Sequence, residues 1–341
     1  MTAVYLTIDT EYAAHLPGAN GTPGTRAENF ARSIACETPG GAVGIFHQMD
    51  VLEAHGLKSV FFVDPMPALL WGVAAIEDVV EPIVARGHDV QLHCHTEWLA
   101  HVPGNRLSAR TGRNLKDFAF EDQCRILEYA RDTLVAAGAP SPVAFRAGNY
   151  GANDETLRAL STLRIGHDSS HCPALVGADC GISLGSGDRR PLLHEGLVEV
   201  PVDCIETFGG RLRHGQVTAL SLRELVAELH HVRDAGVNEV VLVSHSFELL
   251  SRDRKRINRI VERRFRKLCE AIAAMPGVSS ATFADQPPAP CNGLPATPLL
   301  PHDPVRGGAR VIEQVIANAL YSRGLRIGTQ QALAVGAVFL T

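Results

Sequence analysis

The chain has 341 residues, 45% of them hydrophobic, and a formal net charge of −5 at neutral pH. That length supports one large domain or two ordinary ones with ample core, and the charge excludes a nucleic-acid binder that works by neutralising phosphates. The eight cysteines, Cys36, Cys94, Cys124, Cys172, Cys180, Cys204, Cys269 and Cys291, form no Cys-x-x-Cys pair, which predicts free thiols rather than a disulfide framework. No basic segment followed by an apolar one opens the chain, so no secretory leader is expected and the predicted location is cytoplasmic.

Strand-like and helix-like segments alternate. Val4 to Ile8 is a short β run that ends in Asp9-Thr10-Glu11. Ile45, Met49 and Leu52 mark a helix face, with Gly56 placed to end it. Lys58 to Val63 is a second strand, and a helix through Leu69 to Val84 leads to a third, Val90 to Leu92, which runs into His93-Cys94-His95-Thr96-Glu97-Trp98. A helix over Phe120 to Ala137 precedes strands at Pro142 to Phe145, Ile165 to Asp168 and Val198 to Val202. Ser221 and Glu224 form a capping box for a helix to Val232. Glu239 to Val243 is a strong β run, followed by a long helix to Ala274 and a last strand near Ala281 to Phe283.

About seven β/α units in residues 1–285 predict an α/β fold, a distorted (β/α) barrel of parallel strands. Residues 286–304 hold seven prolines and read as a linker. In the tail, 305–341, Val311, Ile312, Val315 and Ala319 follow a helical period. Ala332 to Leu340 is apolar but falls well short of the roughly 20 residues of a membrane span, so no transmembrane segment is expected. This stretch is expected to pack on the domain or on a second subunit, as in a homo-oligomer.

In such barrels catalytic residues stand at the C-terminal ends of strands, and Asp9, Glu11, His93, Arg146 and His245 all fall there. Two carboxylates as close as Asp9 and Glu11 repel unless a cation lies between them. Imidazole nitrogens and carboxylate oxygens are the ligands of zinc and similar divalent ions. The blander readings are a solvated His-rich loop, a surface Arg146 and a core His245.

Leu6-Thr7-Ile8-Asp9-Thr10-Glu11, His88 to Trp98, Phe145-Arg146-Ala147-Gly148-Asn149-Tyr150 and Val241-Leu242-Val243-Ser244-His245 resemble the motifs of the polysaccharide deacetylase superfamily, metal-dependent barrels that cleave N-acyl groups from sugars. The resemblance implies Asp9 as base, Arg146 as the residue that orients it and His245 as general acid. It implies a divalent metal, zinc or alternatively manganese, on Glu11 and His93. The usual adjacent Asp pair is replaced by Asp9-Thr10-Glu11. The family's second metal histidine, four residues past His93, falls at Glu97, and His95 rivals Glu97 for that place. A backbone N–H near Tyr150 is implied at the acyl oxygen. Asp203 either contacts substrate or merely ends a strand.

The implied function is removal of an acetyl or formyl group from an amino sugar or polysaccharide precursor. The alternatives are hydrolysis of another non-peptide C–N bond, in a small N-acyl or ureide metabolite, and a non-catalytic glycan-binding descendant. Trp98 reads equally as core or as a sugar platform, and Cys94 is expected to point away from the histidines. Nine Lys or Arg residues from Arg252 to Lys267 read as the solvated face of a helix.

Overall fold

In the computed structural model, which describes residues 1–19 and 21–321, a mostly parallel sheet curls into a half-barrel flanked by helices. Its strands are β1 (Thr2–Thr10), β2 (Val60–Val63), β3 (Asp89–Cys94), β4 (Ala144–Ala147), β5 (His167–Asp168), β6 (Leu192–His194) and β7 (Leu197–Glu199). A separate hairpin, β8 (Cys204–Thr207) and β9 (Arg211–His214), precedes β10 (Glu239–His245) and β11 (Val278–Ser280). The sheet order is β10-β1-β2-β3-β4-β5-β7-β6, and β11 also pairs with β1. Among the described residues eight of these strands run parallel, one more than the sequence predicts. Within the described sheet only β6, paired with β7, is antiparallel; the separate β8–β9 hairpin is antiparallel as well.

The apolar runs follow from burial on both faces of the sheet. Along β1, Val4, Leu6 and Ile8 pack in the layer shared with the helices. Ala3 and Tyr5 face the other way, among Val60, Phe62, Ala144, Val198, Val241 and Phe283. Thr7 and Asp9 continue that second face by strand alternation, so the polar end of β1 rises directly above an apolar layer.

The flanking helices are α1 (Ile45–Ala54), α2 (Ala74–Ala85), α3 (Phe120–Ala136), α4 (Asp154–Thr162), α5 (Leu222–Asp234) and α6 (Arg259–Ala274). The capping box of Ser221 and Glu224 forms as expected. The single helix expected over 69–84 is broken, because Gly72 takes a φ of 76°, a conformation that stops a helix. The basic run is divided too. The segment 246–258 is irregular, and α6 starts only after Asn258 caps it.

The open side of the half-barrel is bridged by backbone. Asp203 N donates to Val241 O (3.1 Å), Val217 N to Val243 O (2.9 Å) and Val243 N to Gly215 O (2.9 Å). Residues 286–303 run without regular structure along the barrel. They are held by Tyr5 Oη on Gln286 O (2.5 Å) and Thr297 Oγ1 on Arg189 O (2.7 Å). Helix α7 (Pro304–Tyr321) docks through polar groups, with Arg310 Nε on Glu224 Oε1 at 3.1 Å. It leaves Val311, Ile312 and Val315 exposed, so the apolar period read in the tail faces outward. Ala332 to Leu340 lies outside the described residues. Among the described residues no helix is long and apolar enough to cross a membrane, and all eight cysteines are unpaired.

Asp203 faces the buried Glu228 of α5, and neither Glu228 carboxyl oxygen finds a donor. Two acceptors in contact require a shared proton. Burial, and then the Asp203 charge, push the Glu228 carboxyl far up. The folded state therefore keeps a proton that the unfolded chain releases above about pH 4. Its contribution is full below that pH and is lost as pH rises toward the folded pKa. Glu228→Gln removes the titration. Its stability gain over wild type is expected to grow by about 1.4 kcal/mol per pH unit, on the order of 4 kcal/mol between pH 5 and pH 8. Urea unfolding at the two pH values measures it, and an advantage that does not change with pH would count against the shared proton.

Candidate metal centre and active site

Parallel pairing brings the motif residues together. Asp9 lies opposite His245 across β1 and β10, and His93 opposite Arg146 across β3 and β4. Glu11 follows β1 directly. A small cavity of about 80 Å³ is lined by Asp9, Glu11, His93, His95, Ala147, Asn149, Tyr150 and His245.

Arg146 is fully buried and accounts for its donors one by one. Nη1 donates to Asp9 Oδ1 and to Thr7 Oγ1, each at 2.7 Å. Nε and Nη2 donate to Ser169 O and Ser169 Oγ, each at 3.1 Å. The guanidinium lies 4.5 Å over the Phe62 ring. Burial alone would raise the Asp9 carboxyl, but Arg146, with the imidazoles of His93 and His245, holds it below its ordinary value. The second oxygen, Asp9 Oδ2, stands 3.9 Å from His245 Nε2.

The metal question turns on lone pairs. His93 Nδ1 meets Arg146 O at 2.7 Å, so that nitrogen carries the proton and leaves the Nε2 lone pair facing Glu11 Oε2, 3.4 Å away. His95 Nδ1 meets Glu97 Oε2 at 2.8 Å, which likewise leaves Nε2 turned to Glu11 Oε2. Glu11 Oε2 is buried and has no hydrogen bond of proper geometry. Three electron-rich atoms, all within 4.8 Å of one another, form a group that could hold a cation. Two imidazoles and a carboxylate fit zinc, and the set also suits other divalent ions.

His95, rather than Glu97, turns a ring nitrogen to Glu11. Glu97 sits behind it as the carboxylate that fixes the ring, a common support for a metal-bound histidine. The cause is local, since the chain leaves β3 into a 3₁₀ turn, Thr96–His101, which folds Glu97 back onto His95. Gly148 makes room for this ring, because a Cβ there would fall 2.7 Å from His95 Nδ1.

Tyr150 lines the cavity with its hydroxyl buried and unpartnered, and it and Asn149 both take a φ of 56°. Such conformations are costly outside glycine and gather at functional sites. Asp203 is not among the lining residues, for it stitches the barrel seam and pairs with Glu228. Trp98 is core, with Nε1 donating to Asp64 Oδ2 at 3.1 Å. Cys94 is buried and does not line the cavity.

Three supporting residues escaped the sequence reading. Asp64, just past β2, accepts from His95 N at 3.3 Å, and burial raises its carboxyl to about 6 despite the nearby His95 and His93. Gln216 Nε2 donates to Glu248 Oε1 at 2.5 Å and faces His245 Nδ1 at 3.4 Å. Glu248 Oε2 accepts from Ser244 Oγ at 2.7 Å. Since Glu248 must accept from the amide NH₂, the orientation of Gln216 is fixed, and His245 Nδ1 becomes the acceptor. The neutral ring then carries its proton on Nε2, toward Asp9.

No protein-family profile matches the chain, and no curated protein matches its sequence. Solved structures do match. One is a candidate polysaccharide deacetylase from Mycobacterium smegmatis, 19% identical, covering 86% of this chain and 94% of that one with a TM-score of 0.53. A second is a 4-alpha-glucanotransferase from Thermococcus litoralis, 12% identical, covering 83% of this chain and 40% of that one with a TM-score of 0.50. A chitin deacetylase from Colletotrichum lindemuthianum is 12% identical over 86% of this chain and 90% of its own, with a TM-score of 0.40. The architecture is the curled (β/α) barrel. Within that class the chain has the fold of the polysaccharide deacetylases. Because a glucanotransferase shares the fold, the chemistry must be read from the site.

Two outcomes test this geometry. Arg146→Met leaves Asp9 charged and buried without a partner, and is expected to cost about 3–5 kcal/mol in urea unfolding. Gly148→Ala pushes the His95 ring from its seat. Its zinc affinity, by competition with a chelator, is expected to fall by about 10–100-fold, as for the loss of a ligand's support. Unchanged affinity would remove His95 from the metal site.

Proposed function

We propose that the protein is a metal-dependent hydrolase that removes an acetyl or formyl group from the nitrogen of an amino sugar or a polysaccharide precursor. The observation that carries this reading is the convergence, in one small cavity, of a three-atom cation site, an ionised carboxylate and a histidine with its proton on Nε2. A non-catalytic glycan binder has no use for the last two.

Glu11, His93 and His95 would hold the ion, zinc or alternatively manganese, with Glu97 behind His95. When bound, such an ion supplies Lewis acidity, lowering the pKa of a water and polarising the acyl oxygen. Asp9 Oδ2 is the free oxygen of a carboxylate whose other oxygen is occupied by Arg146, so it takes the proton from the attacking water. His245, beside Asp9 on the adjacent strand, would act as general acid in its imidazolium form, giving the Nε2 proton to the nitrogen as the C–N bond breaks and returning to the neutral ring. Tyr150, with its unpartnered hydroxyl and its strained backbone, offers donors to the developing oxyanion. A cavity of about 80 Å³ is small, which supports a short acyl group over a long one.

Asp9→Asn is expected to lower turnover of N-acetyl and N-formyl amino sugars by about 10²–10⁴-fold, the usual worth of a general base. The assay follows acetate or formate release together with the free amine. Turnover in Asp9→Asn equal to wild type would remove Asp9 as base. Release of ammonia or of a urea fragment in place of a carboxylic acid would point to the other C–N hydrolases.

A further inference from the structure

A second cavity, of about 460 Å³, adjoins the first and shares His245 with it. Its size is that of a small-molecule pocket rather than a polymer groove, since ligand pockets run to roughly 300–1,000 Å³. One wall is the segment 245–254 that follows β10, and the other is the inner face of α7, with Gln314, Asn318 and Tyr321.

The charges on its walls do not balance internally. Among the described residues Glu248 is the one carboxylate in the lining, and its oxygens are already taken up by Gln216, Thr218 and Ser244. Arg264 reaches Val217 O and Glu313, yet its Nε is buried with no hydrogen-bond partner. Arg254 is the telling residue. Its guanidinium is stacked 3.9 Å over Phe247 and donates from Nη1 to Ser33 Oγ at 2.8 Å. Among the described residues it forms no ion pair. Burial depresses its pKa, and the opposing carboxylate that reaches it is Glu11, of the metal site itself. It is held at a φ of 55°, a costly backbone for an arginine. A partly buried guanidinium with spare donors, no close ion pair among the described residues and a strained backbone is arranged to receive an anion.

We propose that this pocket takes an anionic group of the substrate, so that the amide cleaved next to it belongs to an N-acyl amino sugar carrying a phosphate or a carboxylate. The inference rests on the hydrolase reading of the neighbouring site and narrows it from sugars in general to acidic ones. Arg254 is the specificity-determining residue, Arg264 adds a second positive wall, and Phe247 holds the guanidinium flat. The sugar ring would lie beside His245, with its acyl nitrogen toward Asp9 and its charge toward Arg254.

The experiment is calorimetric titration of the full-length protein with glucosamine, glucosamine 6-phosphate and muramic acid, which need no turnover. The phosphate is expected to bind at least about tenfold tighter than the neutral sugar, the scale of one charge-assisted hydrogen bond. The gap should shrink with added salt, collapse in Arg254→Gln and persist in part in Arg254→Lys. Muramic acid separates carboxylate from phosphate as the recognised group. Equal affinity of wild type for all three sugars overturns the acidic pocket whether or not any variant folds, and it leaves the hydrolase reading standing. Acidic preference in binding, with no release of acetate from any N-acetylated counterpart, supports the pocket and overturns the hydrolase reading.

Discussion

The contact between Arg146 and Asp9 is the interaction on which the site depends. A fully buried guanidinium is tolerable only when its charge and its donors are answered, and here Asp9, Thr7 and Ser169 answer them. The same residue's carbonyl takes the Nδ1 proton of His93. One side chain therefore holds the Asp9 carboxyl low while its backbone carbonyl sets which nitrogen of His93 is bare. The parallel register makes both contacts possible, since it places Arg146 beside His93 and Asp9 beside His245.

Strand ends were the legible part of this protein. Short β-branched runs that terminate in Asp9, His93, Arg146 and His245 can be read without a structure, because parallel strands buried on both faces have a distinctive composition. What happens after a strand ends was not legible. Whether His95 or Glu97 faces Glu11 depends on the 3₁₀ turn over Thr96–His101, and no periodicity marks that turn. Asp203 ends no sheet strand and closes the seam of the half-barrel, a job done by backbone that any side chain would allow. Gln216 belongs to an irregular segment, so its placement on His245 is set by tertiary packing alone. The helical period in α7 was visible, but which of its faces meets the barrel was decided by Arg310 and Glu224.

The division of labour between fold and site follows. The barrel shared with a deacetylase and a glucanotransferase fixes where strand ends converge, and it says little about the reaction. The small cavity sets the chemistry through converging lone pairs and a carboxylate kept ionised. The larger cavity beside it is built from the segment after β10 and from α7, and in the proposed reading it selects the substrate. Both share His245, whose ring is held from the far side by Gln216 and Glu248.

Metal content per chain, measured by elemental analysis on wild type, His95→Ala and Glu97→Ala after reloading with zinc or manganese, tests the account most directly. One ion per chain is predicted in wild type and none in His95→Ala. Glu97→Ala is predicted to bind still, about 10–100-fold more weakly, as expected of a residue that supports a ligand without being one. Full occupancy in His95→Ala, or no metal in wild type, would contradict the site described.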